Sequence, residues 1–209
     1  PDLPIISEES TPISFQERRL WPRYWLIDPL DGTKEFLKKN DEFTINIALI
    51  DQHKPILGVI FAPALDVCYL AEDTKGAFKQ IAQNRPQPLH SRAWEEGSTI
   101  TAAVSRRHGM NALKIFLAQF EHLNLLHCGS ALKFCFLAEG LADIYPRFSP
   151  TFEWDTAAGQ CILEQAGGAI IDYKGKPLRY NMSSSLQKIA FLAVADKSHC
   201  WLNYLKASI

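Results

Sequence analysis

Asp28 and Asp31 follow the apolar run Trp25-Leu26-Ile27, with Pro29 and Leu30 between them and Gly32-Thr33 directly after. The run reads as a buried strand, and strand ends beside glycine turns are where α/β proteins place reactive groups. Two carboxylates at this spacing can approach one small hard cation. Gly32 lets the backbone come near an oxyanion, and Thr33 adds a hydroxyl beside it. These residue types together suit metal-assisted chemistry on a phosphate. The segment alone also reads as a plain turn, because Asp-Gly is a turn dipeptide.

Two further acidic groups stand elsewhere in the chain. Glu153-Trp154-Asp155-Thr156-Ala157-Ala158-Gly159 places Asp155 at the expected start of a helix, where free N–H groups and the helix dipole favour a carboxylate. Taken alone, Asp155 reads more plainly as a helix N-cap. The small residues after it let that helix lie close to another backbone. Ser7-Glu8-Glu9-Ser10 follows the apolar Leu3–Ile6, so carboxylates again meet a strand end, although a solvated helix start is the plainer reading. Four carboxylates gathered in one place would repel one another and any phosphate ester; cations between them make such a site workable.

The elements that must position these residues fall into two halves. Tyr24–Asp28, Thr44–Ile50, Pro55–Ala62, Val67–Ala71 and Gly76–Ile81 read as a strand meander. Ile45, Ile47 and Leu49 lie on one face at the period of two, and Asp51–Lys54 supplies a hairpin turn. Residues 82–97 are polar and carry Pro86 and Pro88, which marks a boundary loop. The second half alternates. Thr99–Val104, Leu123–His127, Asp143–Arg147 and Ile189–Ala193 are strand-like. Asn111–Phe120, Ala131–Glu139, Asp155–Ala166 and Lys197–Leu205 are helix-like, and Gly167-Gly168 closes the third helix. The reading is therefore α+β, with a metal-binding, mostly antiparallel half over 1–90. A second half over 91–209 completes the metal site, with a cleft between the halves.

Bulk properties exclude several classes. A net charge of −1 gives no basic field for polymeric nucleic acid, so an anionic ligand must be held by local cations and a metal. The five cysteines form no CxxC pair, which argues against a zinc ribbon and fits reduced thiols in the cytoplasm. No apolar run reaches the ~18 residues of a membrane span, so none is expected; the expected location is the cytoplasm, with peripheral attachment at the inner membrane face left open. The first residues, Pro1-Asp2-Leu3-Pro4, carry no signal-peptide pattern and no methionine and read as an internal start.

In order along the chain, S-E-E-S, D-P-L-D-G-T and W-D-T-A-A with the distal Gly-Gly resemble the inositol monophosphatase superfamily of metal-dependent, lithium-sensitive phosphatases. The likeness covers nearly the whole chain. It is closer still to the bacterial 3′(2′),5′-bisphosphate nucleotidases. Thr33-Lys34-Glu35-Phe36, Phe43–Leu49, Ser105-Arg106-Arg107-His108, Gly129–Phe134, Ala138-Glu139-Gly140 and Tyr145-Pro146-Arg147 carry that closer resemblance. Arg107 and Ala131 stand where that family usually has serine.

The resemblance implies a layered αβαβα sandwich. It also implies an N-terminal helical section ahead of the S-E-E motif, bearing another acidic residue; that section is missing from these 209 residues. It implies two or three Mg²⁺ ions, one held by Glu8, Asp28 and the Leu30 carbonyl and another by Asp28, Asp31 and Asp155. Thr33, with an acidic partner such as Glu8, would activate water, and the backbone N–H groups of Gly32 and Thr33 would bind the phosphate being cleaved. Lys133, Arg147 and the Ser130 hydroxyl are the candidates for a second phosphate, and His108 for the nucleotide. The implied ligand is a small nucleotide, adenosine 3′,5′-bisphosphate, cleaved to AMP and phosphate in connection with sulfate assimilation. An inositol or sugar monophosphatase, and a non-catalytic nucleotide- or metal-binding domain, are the alternatives.

Overall fold

The computed structural model describes residues 2–106, 111–188 and 190–206. Local hairpins build the first sheet. β1 (Ile5–Ser7), β2 (Arg23–Asp31), β3 (Thr44–Asp51), β4 (Lys54–Ala62), β5 (Val67–Glu72), β6 (Gly76–Ile81) and β7 (Gln87–Pro88) lie in sequence order across it. β1 runs parallel to β2, and every other neighbouring pair is antiparallel. Two short helices interrupt this meander, α1 (Phe15–Arg18) and α2 (Thr33–Lys38).

The second sheet is built by crossovers. It contains β8 (Ile100–Val104), β9 (Leu123–His127), β10 (Ile144–Arg147), β12 (Ala169–Ile171) and β14 (Phe191–Val194), in the spatial order β12-β14-β10-β8-β9. β11 (Thr151–Phe152) and β13 (Gln187–Lys188) pair separately. The accompanying helices are α3 (Asn111–Leu117), α4 (Leu132–Ala138), α5 (Ala157–Ala166) and α6 (Leu202–Lys206).

Alternation along the strands of this second sheet assigns the layers. Ala103, Tyr145, Phe191 and Ala193 face a core shared with α4, α5 and the first sheet. Ile100, Ala102, Val104, Ile144, Leu192 and Val194 face a second core with Phe116 of α3 and with Trp201 and Leu205 of α6. The layers are therefore sheet, helix pair, sheet, helix pair, which are four layers of the expected αβαβα sandwich.

The helix pair between the sheets is packed very closely. A Cβ on Gly159 of α5 would stand 2.3 Å from the Phe134 ring of α4, and one on Gly58 of β4 would stand 2.6 Å from the Ala158 carbonyl oxygen. Only glycine fits at either contact. That proximity also decides which face of β3 is covered. Thr44, Asn46, Ala48 and Ile50 are fully buried toward α5, whereas Ile45, Ile47 and Leu49 are half-buried on the opposite face. The more apolar face of this strand is thus the less buried one, because the close helix admits small and polar side chains beneath it.

Candidate active site

A bulge in β2 creates the first part of the site. Asp28 pairs with Asn46 and Asp31 with Thr44, so one extra residue lies in β2 between the two pairs. In a regular strand, residues three apart point to opposite faces; the extra residue returns both aspartates to the same face. Pro29 donates no N–H to the ladder there. The Leu30 N–H instead donates to Asp28 Oδ1 at 2.9 Å, and Asn46 Nδ2 donates to Asp31 Oδ2 at 3.4 Å.

Asp155 joins them from the second half. Its Oδ2 accepts from the Phe152 N–H at 3.0 Å and from the Thr151 hydroxyl. The helix start expected at Asp155 is corrected: α5 begins at Ala157 with Thr156 at its N-cap position. Asp155 is free of the capping role because its carboxylate is turned back to Thr151 and toward the other acids. One carboxylate oxygen from each of Asp28, Asp31 and Asp155 lies within 4.8 Å of the others. Glu8 follows β1, whose parallel register sets Ser7 beside Ile27, and its own N–H donates to the Ile27 carbonyl at 3.3 Å. It therefore stands next to Asp28.

The electrostatics of this cluster are those of a cation site. Burial first, then the charge of Asp31, pushes the Asp28 carboxyl up to about 8. Burial and Asp155 push Asp31 up to about 6, against the opposing pull of Lys133, Asn46 and Arg147. Burial, Asp155 and Glu9 raise Glu8, while its hydrogen bond with Asp28 lowers it. An all-oxygen donor set whose members resist ionisation together fits a hard divalent cation.

Beyond the carboxylates opens a cavity of about 420 Å³. Asp31, Gly32, Ser130, Lys133, Tyr145, Arg147 and Asp155 are among the residues lining it. Lys133, in the first turn of α4, is buried. Its Nζ donates to the carbonyls of Cys128 at 3.3 Å and Ser130 at 2.5 Å, and it lies 5.1 Å from the centre of the Tyr145 ring. Arg147 ends β10, donating to the Tyr145 hydroxyl and the Pro150 carbonyl, both at 3.1 Å; its buried Nε has no partner among the described residues. Neither cation pairs directly with a carboxylate among the described residues.

The remaining expected residues are placed as follows. Gly32 precedes α2 with φ of +87°, and Thr33 opens that helix, its hydroxyl donating to the Leu30 carbonyl at 3.4 Å. Ser130 lines the cavity in a left-handed conformation, with φ of +46°. His108 lies outside the described residues. Sequence reasoning missed Asn46 and Thr151, which hold Asp31 and Asp155, and Glu42, which pairs with Arg106 of the cavity wall. A polar residue on a strand face otherwise filled by Ala48 and Ile50 was the available signal for Asn46.

A carboxylate cluster at the mouth of a cation-lined cavity, between the layers of a sandwich, defines the class: a metal-dependent phosphatase. The inositol monophosphatase family model matches residues 1–197. The 3′(2′),5′-bisphosphate nucleotidase CysQ of Escherichia coli K12 is 45% identical over 197 residues, covering 91% of this chain and 75% of that protein. The nucleotidase of the same name from Haemophilus influenzae is 37% identical over 203 residues, covering 96% of this chain and 75% of that one. The crystal structure of CysQ from Bacteroides thetaiotaomicron superposes with a TM-score of 0.85 at 35% identity, covering 94% of this chain and 78% of that chain. This chain belongs to the inositol monophosphatase family. No described helix is long and apolar enough to cross a membrane, and all five cysteines are free.

Proposed function

We propose that this protein is a Mg²⁺-dependent nucleotidase of the cytoplasm. It would hydrolyse adenosine 3′,5′-bisphosphate to AMP and phosphate and so clear a by-product of sulfate assimilation. One observation carries the reading: buried Lys133 and partly buried Arg147, neither paired with a carboxylate among the described residues, line one cavity with Asp31 and Asp155 of the acidic cluster. A simple phosphate ester needs only the metal end of such a cavity, whereas a substrate with two phosphates uses both ends. The names of the CysQ relatives support the same reading.

Glu8, Asp28, the Leu30 carbonyl, Asp31 and Asp155 would hold two or three Mg²⁺ ions. When bound, the ions supply charge neutralisation and an acidified water. The backbone N–H groups of Gly32 and Thr33 bind the phosphate that is cleaved. The Thr33 hydroxyl, set by its hydrogen bond to the Leu30 carbonyl, orients the attacking water, and Glu8 is its acidic partner. Lys133, Arg147 and the Ser130 hydroxyl grip the phosphate that is kept, Arg147 through its planar fork. His108 contacts the nucleotide.

The test is Mg²⁺-dependent phosphate release from adenosine 3′,5′-bisphosphate beside inositol 1-phosphate. The bisphosphate should be strongly preferred, and millimolar Li⁺ should inhibit. Lys133→Ala should cost about a hundredfold in kcat/KM on the bisphosphate, a charged hydrogen bond being worth ~3 kcal/mol, with little loss on the inositol ester. Preference for the inositol ester would keep the metal site and discard the second-phosphate assignment.

A further inference from the structure

We infer that Glu42 is a positioning residue for recognition of the second phosphate: it fixes the Cys128–Ser130 turn that in turn holds Lys133. The inference rests on the bisphosphate reading above. Glu42 stands in the loop between α2 and β3, in the half of the molecule that carries Asp28 and Asp31. Its Oε2 accepts from the Gly129 N–H at 2.9 Å and from Arg106 Nε at 3.1 Å, and its Oε1 accepts from the other arm of the same guanidinium. Burial pushes its carboxyl up, but the hydrogen bonds from Arg106 and Gly129 prevail and hold it below the usual range, so it is ionised at neutral pH.

The turn it holds is closely confined. A Cβ on Gly129 would stand 2.7 Å from Glu35 Cγ and 2.9 Å from the Glu42 carbonyl oxygen, so the backbone there is pressed against the first half. Ser130, next in line, is in the left-handed region, which a residue with a side chain adopts only where its surroundings hold it. The carbonyl oxygens on either side of Gly129 are the two that Lys133 Nζ is bonded to. Glu42, Gly129 and Lys133 therefore form one chain of contacts that crosses between the halves and ends at the cavity. The Glu42 side chain bonds to Arg106 and Gly129 and not to the metal end, where Asp28 and Asp31 are set by the β2 bulge and the Gly32 carbonyl accepts from the Phe36 N–H at 2.9 Å.

The test compares kcat/KM for adenosine 3′,5′-bisphosphate with that for 3′-AMP, which lacks the 5′ phosphate. Glu42→Ala should lower the ratio by about tenfold, the effect of losing one charge-assisted hydrogen bond. Glu42→Gln keeps an acceptor for the Gly129 N–H and should hold the ratio within about threefold of wild type. In a Lys133→Ala background, Glu42→Ala should lower the ratio no further, because the two act in series. Should the alanine variant not fold, Glu42→Asp carries the same test: one methylene fewer keeps the charge and draws the oxygen back from Gly129.

A merely structural Glu42 would depress both substrates together and leave the ratio unmoved, which overturns the inference. A loss that adds in full to that of Lys133→Ala overturns it as well. Absence of any preference in the wild type overturns the bisphosphate reading and the inference with it, and is distinguished by appearing before any substitution is made.

Discussion

Asp28 concentrates the electrostatic problem of the site. It is almost wholly buried, faces Asp31, Asp155 and Glu8, and carries a carboxyl raised from 3.8 to about 8 when no cation is near. The native state thus binds a proton that the unfolded chain releases near pH 4, and stability must fall as pH rises from there toward 8. Metal-free protein should accordingly melt at a lower temperature at pH 8 than at pH 6. Added Mg²⁺ should reverse the trend, with the larger gain at pH 8, where fewer protons are displaced. Asp28→Asn should raise the melting temperature of the metal-free protein at pH 8 by a few degrees, since about 1 kcal/mol moves a domain of this size by ~2–4 °C. The same variant should abolish the Mg²⁺-induced shift; differential scanning calorimetry in chelator and in Mg²⁺ reads all three outcomes.

At the scale of elements, α5 sets the precision of the site, because Asp155 lies two residues before its start and the helix is wedged between Gly58 and Phe134. Gly159→Ala would drive a methyl into the Phe134 ring and should cost about 1–3 kcal/mol. The expected signature is a lower urea midpoint with an unchanged m-value, together with a higher Mg²⁺ concentration for half-maximal activity as Asp155 is displaced. The small run Ala157-Ala158-Gly159 made the close approach legible in the sequence, and the alternation in β3 to β6 made the meander legible. The covered face of β3 was not legible, because hydrophobicity points to Ile45, Ile47 and Leu49 while the nearness of α5 selects Thr44, Asn46 and Ala48. Nor was the bulge that aligns Asp28 with Asp31, since a register shift depends on the partner strand. β11 and β13, two residues each, and α1, four residues, are too short for any period to show. The Glu42–Gly129 contact joins segments remote in sequence and leaves no local pattern.

For the whole molecule, the difference between its two sheets sets an order of assembly. The first sheet is made of consecutive hairpins, whose contacts are local and close quickly. α5 packs on β3, β4, β5 and β6, far back along the chain, and the second sheet needs parallel crossovers. Folding that starts from the local hairpins would bring Asp155 to Asp28 and Asp31 only when α5 docks on the first sheet. Until that step Asp155 is apart from Glu8, Asp28 and Asp31, which the first sheet alone brings together. A cation that needs Asp155 should consequently act mainly on the lifetime of the folded protein: stopped-flow measurements should show unfolding slowed as Mg²⁺ occupancy rises, by a larger factor than refolding is changed.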